Sequence, residues 1–286
     1  MRASDRRRGM VLVIVLWTIA LLAGLAMAAS TTFRGFAGIV TVDRDRIRAD
    51  ALLTAGLETA GGLLAASPDS TVDGVETAVD LPDGSVRARL RDEGGRIDVG
   101  KAPLDVLISL LRFIGAPGAQ GLAGQIVEWR DSSAASRPSG ASTAAAPGAD
   151  NPPAPFTDIR LLGRFRGMGP ELVAALMPLA TVFGSDTVNP MTASVDVLAA
   201  LPGMDRQSAA AIVNMRKRFP ADPGRLQGIL GPAQKYVQVK PQQAVSVLLA
   251  ARLADGFRAA AHAVIVRLPR DSEPYRVLAW TPLSPS

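Results

Sequence analysis

The longest apolar run stands near the start of the chain. Met10 to Ala29 is twenty residues without a charge and without a polar face. As a helix rising 1.5 Å per residue it spans about 30 Å, the thickness of a bilayer core. A core helix rarely starts nine residues in, directly behind an arginine cluster and without one polar face, so a membrane helix is expected. Residues 30–66 continue with helical spacing of Phe33, Phe36, Ile39, Val40, Ile47, Leu52, Leu53, Leu57, Leu63 and Leu64. Between them Arg44, Arg46 and Arg48 alternate with Asp43, Asp45 and Asp50, a solvated helix face.

Over residues 72–99 the period changes to two. Val86, Ala88 and Leu90 alternate with Arg87, Arg89 and Arg91, the pattern of a half-buried strand, expected at a sheet edge. Pro82-Asp83-Gly84 before it and Glu93-Gly94-Gly95 after it are turn chemistry. Ile97-Asp98-Val99 starts a further short strand.

Residues 100–235 return to helical spacing and contain an internal repeat. Ile97 to Leu107 aligns without gaps on Val188 to Leu198, and Ile126-Val127-Glu128-Trp129-Arg130 matches Ile212-Val213-Asn214-Met215-Arg216. Each copy reads as an extended lead-in, a short helix, a Gly turn and a second helix ending in Arg, a helix–turn–helix-like unit used twice. Residues 131–155 lie between the copies. They are small, polar and Pro-rich, and are expected to form a flexible loop. A third hairpin is expected from Leu161-Leu162-Gly163-Arg164-Phe165-Arg166-Gly167-Met168-Gly169-Pro170, with its helix running to Leu179.

The last stretch alternates again. Tyr236 to Val239 is a short strand candidate. Val245–Leu253 and Phe257–Leu268 read as a hairpin across Asp255-Gly256, and Tyr275–Trp280 is the last strand. The pattern predicts an α+β chain. A long N-terminal helix packs on an antiparallel sheet drawn from 72–99 and 236–286, and an all-α domain of repeated hairpins, 100–235, is inserted between strands.

Composition narrows the chemistry. The 286 residues are 48% hydrophobic, with no Cys and one His, His262. Disulfides, thiolate catalysis and two-His metal sites are excluded. No G-x-S-x-G elbow is present, and no carboxylate pair has supporting context, so an enzyme is not expected. Of the net charge of +5, the first nine residues supply three, from Arg2, Arg6, Arg7 and Arg8 against Asp5. The excess is a short basic leader rather than a folded nucleic-acid surface, and it sets the leader on the cytoplasmic side.

Three readings of this N-terminus are open: a plain signal anchor, a secretory signal cut after Ala28, and a prepilin leader cut before the apolar helix. Arg6-Arg7-Arg8-Gly9 followed directly by Met10-Val11-Leu12-Val13-Ile14 fits the third best and resembles the type IV pilin and pseudopilin superfamily. Most members carry Glu at the fifth mature position, where this chain has Ile14. In the superfamily that Glu is thought to meet the amine of a subunit already in the filament. A subunit that starts a filament has no such amine to meet, and an unpartnered buried carboxylate is costly.

A set of segments in order along the chain resembles the general secretion pathway protein K family, the large minor pseudopilin of type II secretion systems. They are Arg8-Gly9 with Val15-Leu16-Trp17, Asp92-Glu93-Gly94-Gly95-Arg96-Ile97-Asp98-Val99, Ile126 to Asp131, Val188 to Ala193 with Ala200-Leu201-Pro202-Gly203, and Pro274 to Leu278. The resemblance implies cleavage between Gly9 and Met10 by prepilin peptidase and N-methylation at Met10. Residues 1–9 would then be the leader, 10–29 a transmembrane helix of the bacterial inner membrane, and the C-terminal part periplasmic. It implies the I- and J-type minor pseudopilins as partners in a tip complex that starts the pseudopilus and exports folded proteins. The inserted domain would block stacking of another subunit above it. Family members can bind calcium in acid-rich loops of that domain. Here Asp131 and Asp150 stand far apart, too few carboxylates for calcium's six to eight oxygens, and no cofactor is expected.

The alternative is a membrane-anchored DNA receptor of the helix–hairpin–helix kind. Gly167 and Gly169, with Arg164 and Arg166 close by, have the form that presents backbone N–H groups to a phosphate. Leu201-Pro202-Gly203-Met204-Asp205 departs from that form, because Asp205 sets a negative charge where phosphate would bind. One fitting motif of two makes nucleic acid the weaker reading.

Overall fold

A computed structural model describes residues 4–66, 72–135, 156–219, 223–239, 244–268 and 273–284. Helix α1 runs from Ser4 to Ala66. Strands β1 (Glu76–Leu81) and β2 (Gly84–Asp92) form a hairpin across Pro82-Asp83. After a short 3-10 turn at Glu93–Gly95 come β3 (Ile97–Asp98), α2 (Leu104–Phe113) and α3 (Ala119–Ala135). A 3-10 turn at Ile159–Arg164 leads to α4 (Pro170–Leu176) and β4 (Ala180–Thr181). Helices α5 (Val195–Ala199), α6 (Arg206–Arg218) and α7 (Gln227–Leu230) follow. The chain closes with β5 (Ala244–Leu253), β6 (Arg258–Arg267) and β7 (Tyr275–Leu283).

Five strands make one antiparallel sheet in the order β1-β2-β5-β6-β7. Strands β2 and β5 pair directly, from Gly84 opposite Leu253 to Asp92 opposite Val245, although the helical block separates them in sequence. One face of the sheet is apolar because every second residue is: Val86, Ala88, Leu90, Val245, Val247, Leu249, Ala261, Ala263 and Ile265. The second half of α1 covers it with Leu52, Leu53, Leu57, Ala60 and Leu64. Each such leucine contributes about 1.5–3 kcal/mol on burial. Two glycines let helix and sheet close up. A methyl on Gly56 would stand 2.7 Å from a Val86 methyl, and one on Gly61 would fall inside the Tyr275 ring.

Several expectations need correction. The arginine-bearing strand is not an edge: β1 lies outside β2, and Arg89 pairs with Glu76 on β1 at 2.5 Å. Ile97 and Asp98 do not join the large sheet but pair in parallel with Ala180 and Thr181. Tyr236 to Val239 is not a sheet strand either, since Tyr236 ends a 3-10 turn and Val237 makes a single parallel bridge to Val188. Residues 131–135 are the last turn of α3, so the expected loop is shorter at its start; 136–155 lie outside the described residues. The third hairpin's first arm is a 3-10 turn and its helix stops at Leu176, not Leu179. The last strand extends past Trp280 to Leu283.

Of the Met10–Ala29 run, side chains are described for residues 15–27, and all are exposed, Trp17 and Leu21 among the most. Among the described residues no helix is long and apolar enough to cross a membrane. Gly9 and Met10 lie within α1, with their side chains outside the described set.

Candidate functional site

Among the described residues, the buried polar and charged side chains are Asp92, Glu93, Asp98, Thr181, Asn189 and Ser246. All gather where the chain leaves the sheet after β2, next to where it returns at β5. Most buried polar groups are hydrogen-bonded, and the bonds made by this cluster fix the geometry of the chain here.

The segment Asp92 to Val99 supplies most of it. Asp92 caps the 3-10 turn, accepting from the Gly94 N–H at 2.9 Å. Its other oxygen accepts from the Thr192 hydroxyl at 2.7 Å. Burial pushes the Asp92 carboxyl above its ordinary value, opposed by the Thr192 and Gly94 hydrogen bonds. Glu93 accepts from the Arg96 guanidinium on one oxygen and from the Thr181 hydroxyl on the other. Arg96 also donates to the carbonyls of Met177 (3.4 Å) and Ala180 (3.5 Å) and to the Ser246 hydroxyl (3.4 Å). The Glu93–Arg96 pair therefore joins sheet, turn and helical block in one network. The Glu93 side chain is 1% exposed and that of Arg96 13%, so removing either partner strands a buried charge.

Gly95 is a glycine because there is no room for more. A methyl there would lie 2.8 Å from the Thr192 carbonyl carbon. The Asn189 N–H donates to the Gly94 carbonyl at 2.8 Å. The turn after β2 is thus pressed onto residues 189–192, the lead-in of the second repeat.

Key hydrogen bonds of the repeat recur in three dimensions. Asp98 Oδ1 accepts from the Gly100 N–H (2.8 Å), and its counterpart Asn189 Oδ1 accepts from the Met191 N–H (3.0 Å). Arg130 Nη1 donates to the Ala102 carbonyl (3.0 Å); Arg216 Nη1 donates to the counterpart Ala193 carbonyl (2.6 Å) and to Pro190 (2.8 Å). Each lead-in also makes a parallel bridge to a later segment, β3 to β4 beyond α4 and Val188 to Val237 beyond α7. Trp129, one residue before the first clamp, stacks on Phe156 with ring centroids 4.5 Å apart.

The expected phosphate hairpin is less inviting. Gly167 has φ +96°, and Gly169 is the residue before α4. Arg164 and Arg166 are both exposed. However, Pro170 is the first helical residue and has no N–H to offer, and Glu171 puts a carboxylate in the first turn. In the second copy the Asp205 carboxylate occupies the helix start, accepting from the Ser208 N–H at 2.6 Å.

Among the described residues no three His, Asp or Glu side chains gather as metal ligands. Asp131 pairs with Arg130 at 3.3 Å, and Asp150 lies outside the described residues. His262 is on the sheet face away from α1 and lines a groove of about 280 Å³ with Glu93, Arg96, Arg160 and Thr281. Burial lowers the His262 pKa from its usual value.

Residues 88–185 match the family model for type II secretion system (T2SS), protein K. Over these residues the chain is similar to that family. The match covers the second half of β2, the segment Asp92 to Val99 and the first repeat. Four solved chains match the fold. One comes from the crystal structure of the GspK-GspI-GspJ complex from the enterotoxigenic Escherichia coli type 2 secretion system, at 16% identity and a TM-score of 0.59. That match covers 86% of this chain and 99% of the other. No curated protein matches the chain.

Asp92 to Val99 and Val188 to Ala193 stand out in the sequence as separate segments, with nothing to say that they dock on each other. Gly94-Gly95 followed by a charged residue is the available signal, since paired glycines in a turn can mark a close backbone approach as well as a bend. The roles of Thr181 and Ser246 have no local signal.

Proposed function

We propose that this chain is the tip minor pseudopilin of a type II secretion system. One observation carries the reading. At the sheet end where the chain leaves β2, Asp92 stands opposite Val245 on β5. The same end holds Tyr275, against Gly61 near the end of α1. The helical block is fastened there, at the opposite end from the start of α1. A filament grows by stacking each subunit along its neighbour's helix, and a block at the far end occupies the place of the next subunit. A chain built this way can begin a filament but cannot sit in its middle.

The remaining parts fit that role. The leader is cut between Gly9 and Met10 by prepilin peptidase, and Met10 becomes the methylated N-terminus. Residues 10–29 hold the subunit in the inner membrane until assembly, leaving the sheet and helical block in the periplasm. A solved structure similar in fold is a complex with GspI and GspJ, so I- and J-type minor pseudopilins are the proposed partners. No cofactor, metal or catalytic step is needed, because the work is assembly. Ile14 suits a subunit with no predecessor.

Affinity purification of the full chain from membranes tests the reading. The I- and J-type minor pseudopilins are expected to co-purify in equal amount, and removing the chain is expected to stop export. Recovery of the chain alone, with export unimpaired in its absence, overturns it.

A further inference from the structure

The sheet has a second face, turned away from α1. Side chains alternate between the two faces along a strand, and residues opposite each other on paired strands share a face. Val86, Ala88 and Leu90 are buried under α1, so Arg87, Arg89 and Arg91 stand on the outer face, all three exposed. The register brings Leu248 opposite Arg89, Ala250 opposite Arg87, and Arg252 opposite Ser85. On β6, His262, Ala260 and Arg258 follow, opposite Leu248, Ala250 and Arg252. The outer face is therefore patterned. Leu248, Ala250 and Ala260 make a small apolar strip, with Leu248 45% exposed. Arginines from three strands surround it.

The charges on this face are not balanced among its own strands. Its acids, Glu76 and Asp80, both lie on the edge strand β1, and Arg89 already holds Glu76 at 2.5 Å. Arg91 is turned to the helical block, donating to the Pro178 carbonyl at 3.3 Å. Among the described residues no hydrogen bond or ion pair holds Arg87 or Arg252. The turns at this end carry Asp83 and Asp255, and one Asp255 oxygen accepts from the Phe257 N–H at 3.0 Å. Arg252 and Arg258 stand directly opposite each other across β5 and β6. Their Cβ atoms are then about 4.5–5.5 Å apart, and Arg87 is diagonal to Arg252 at about 7–8 Å. Like charges so placed weaken a sheet, and an anion lying over them offsets that loss.

The surrounding chemistry selects the kind of anion. Guanidinium forks take carboxylates by two parallel hydrogen bonds. Single-stranded nucleic acid is held by aromatic rings on which its bases stack, and the outer face of the five strands carries no Phe, Tyr or Trp and no Lys. A phosphate backbone gains nothing from an apolar strip. An acidic protein surface with apolar side chains among its carboxylates uses both parts. We propose that the outer face of the sheet docks an acidic protein partner, with apolar side chains on Leu248 and Ala250 and carboxylates on Arg87, Arg252 and Arg258. This goes beyond the tip reading and does not rest on it, because the face lies opposite α1.

Fluorescence anisotropy of the full chain in detergent, with a labelled peptide of alternating Glu and Ala, tests the proposal. Joint Arg87→Gln and Arg252→Gln substitution is expected to weaken binding on the order of tenfold. Leu248→Gln is expected to weaken it as well. Joint Arg112→Gln and Arg218→Gln substitution removes the same charge from exposed positions of the helical block, and is expected to leave binding unchanged. All five positions are exposed, so lost binding does not reflect lost folding. Equal weakening by the two arginine pairs would mean general attraction to a basic chain and overturns the proposal. No binding by the unaltered chain, or no effect of Leu248→Gln, also overturns it. So does a labelled single-stranded oligonucleotide that binds more tightly than the peptide and is released by the Arg87 and Arg252 changes. None of these outcomes alters the tip reading, which is decided by recovery of its partners.

Discussion

Asp98 and Asn189 hold the same place in the two repeats and make the same turn, yet only one of them can ionise. Burial pushes the Asp98 carboxyl up to about 6, against the pull of Lys101 4.0 Å away. Its Oδ2 has no hydrogen-bond partner among the described residues. Since this value lies above that of an unfolded carboxyl, the folded state binds the proton more tightly. The stabilising contribution is complete below about pH 4 and is lost as pH rises through 6. Asp98→Asn, which copies the second repeat, is expected to remove that slope. It should raise stability at pH 7 by on the order of 2 kcal/mol. Denaturant melts at pH 4 and pH 7 check this; equal slopes for the two proteins would contradict it. Residue identity alone does not predict the effect, because an Asp in a turn ordinarily faces water. Only the repeat alignment places Asp98 opposite an amide.

At the scale of elements, the gapless alignment of 97–107 on 188–198 foretells two like hairpins, and the clamps from Arg130 and Arg216 are their shared fastening. The copies are not equal. Arg216 holds two carbonyls and Arg130 one. At about 1.5–3 kcal/mol for a hydrogen bond to a charged group, Arg216→Met is expected to cost more than Arg130→Met, measured by urea unfolding. Equal losses would mean that the clamps are incidental. Strands with a strict two-residue period, such as β2 and β5, are legible because one face is buried and the other is not. The short strands are misplaced because two or three residues carry no period. Ile97-Asp98 reads as a strand either way, and only the pairing with Ala180-Thr181 decides its sheet. The 3-10 turn before α4 reads as a helix arm because Leu161 and Leu162 are apolar. The segment instead forms a 3-10 helix from Ile159 through Gly163 to Arg164, and Gly167 then takes a positive φ.

The whole molecule is a sheet with a helix on one face and a helical block fastened to one end by the Asp92–Arg96 network. Its broad plan is legible in the sequence: helix first, strands flanking helices, a mixed chain rather than a wholly helical one. The direct pairing of β2 with β5 can only be inferred from the strands on either side of the block, since no local residue encodes a partner so far along the chain. The orientation of the block depends on contacts between segments far apart in sequence, Asp92 with Thr192 and Arg96 with Ser246, and is not legible at all. The proposed terminal place in a filament rests on that orientation. A terminal subunit must still enter the filament pathway through its N-terminus. The most direct test is the intact mass and N-terminal sequence of the full chain isolated from membranes with and without active prepilin peptidase. A pseudopilin is expected to show a peptidase-dependent start at Met10, with the mass of one added methyl. A start at Ala29 without need of that enzyme, or an uncut chain in both preparations, would contradict the assignment.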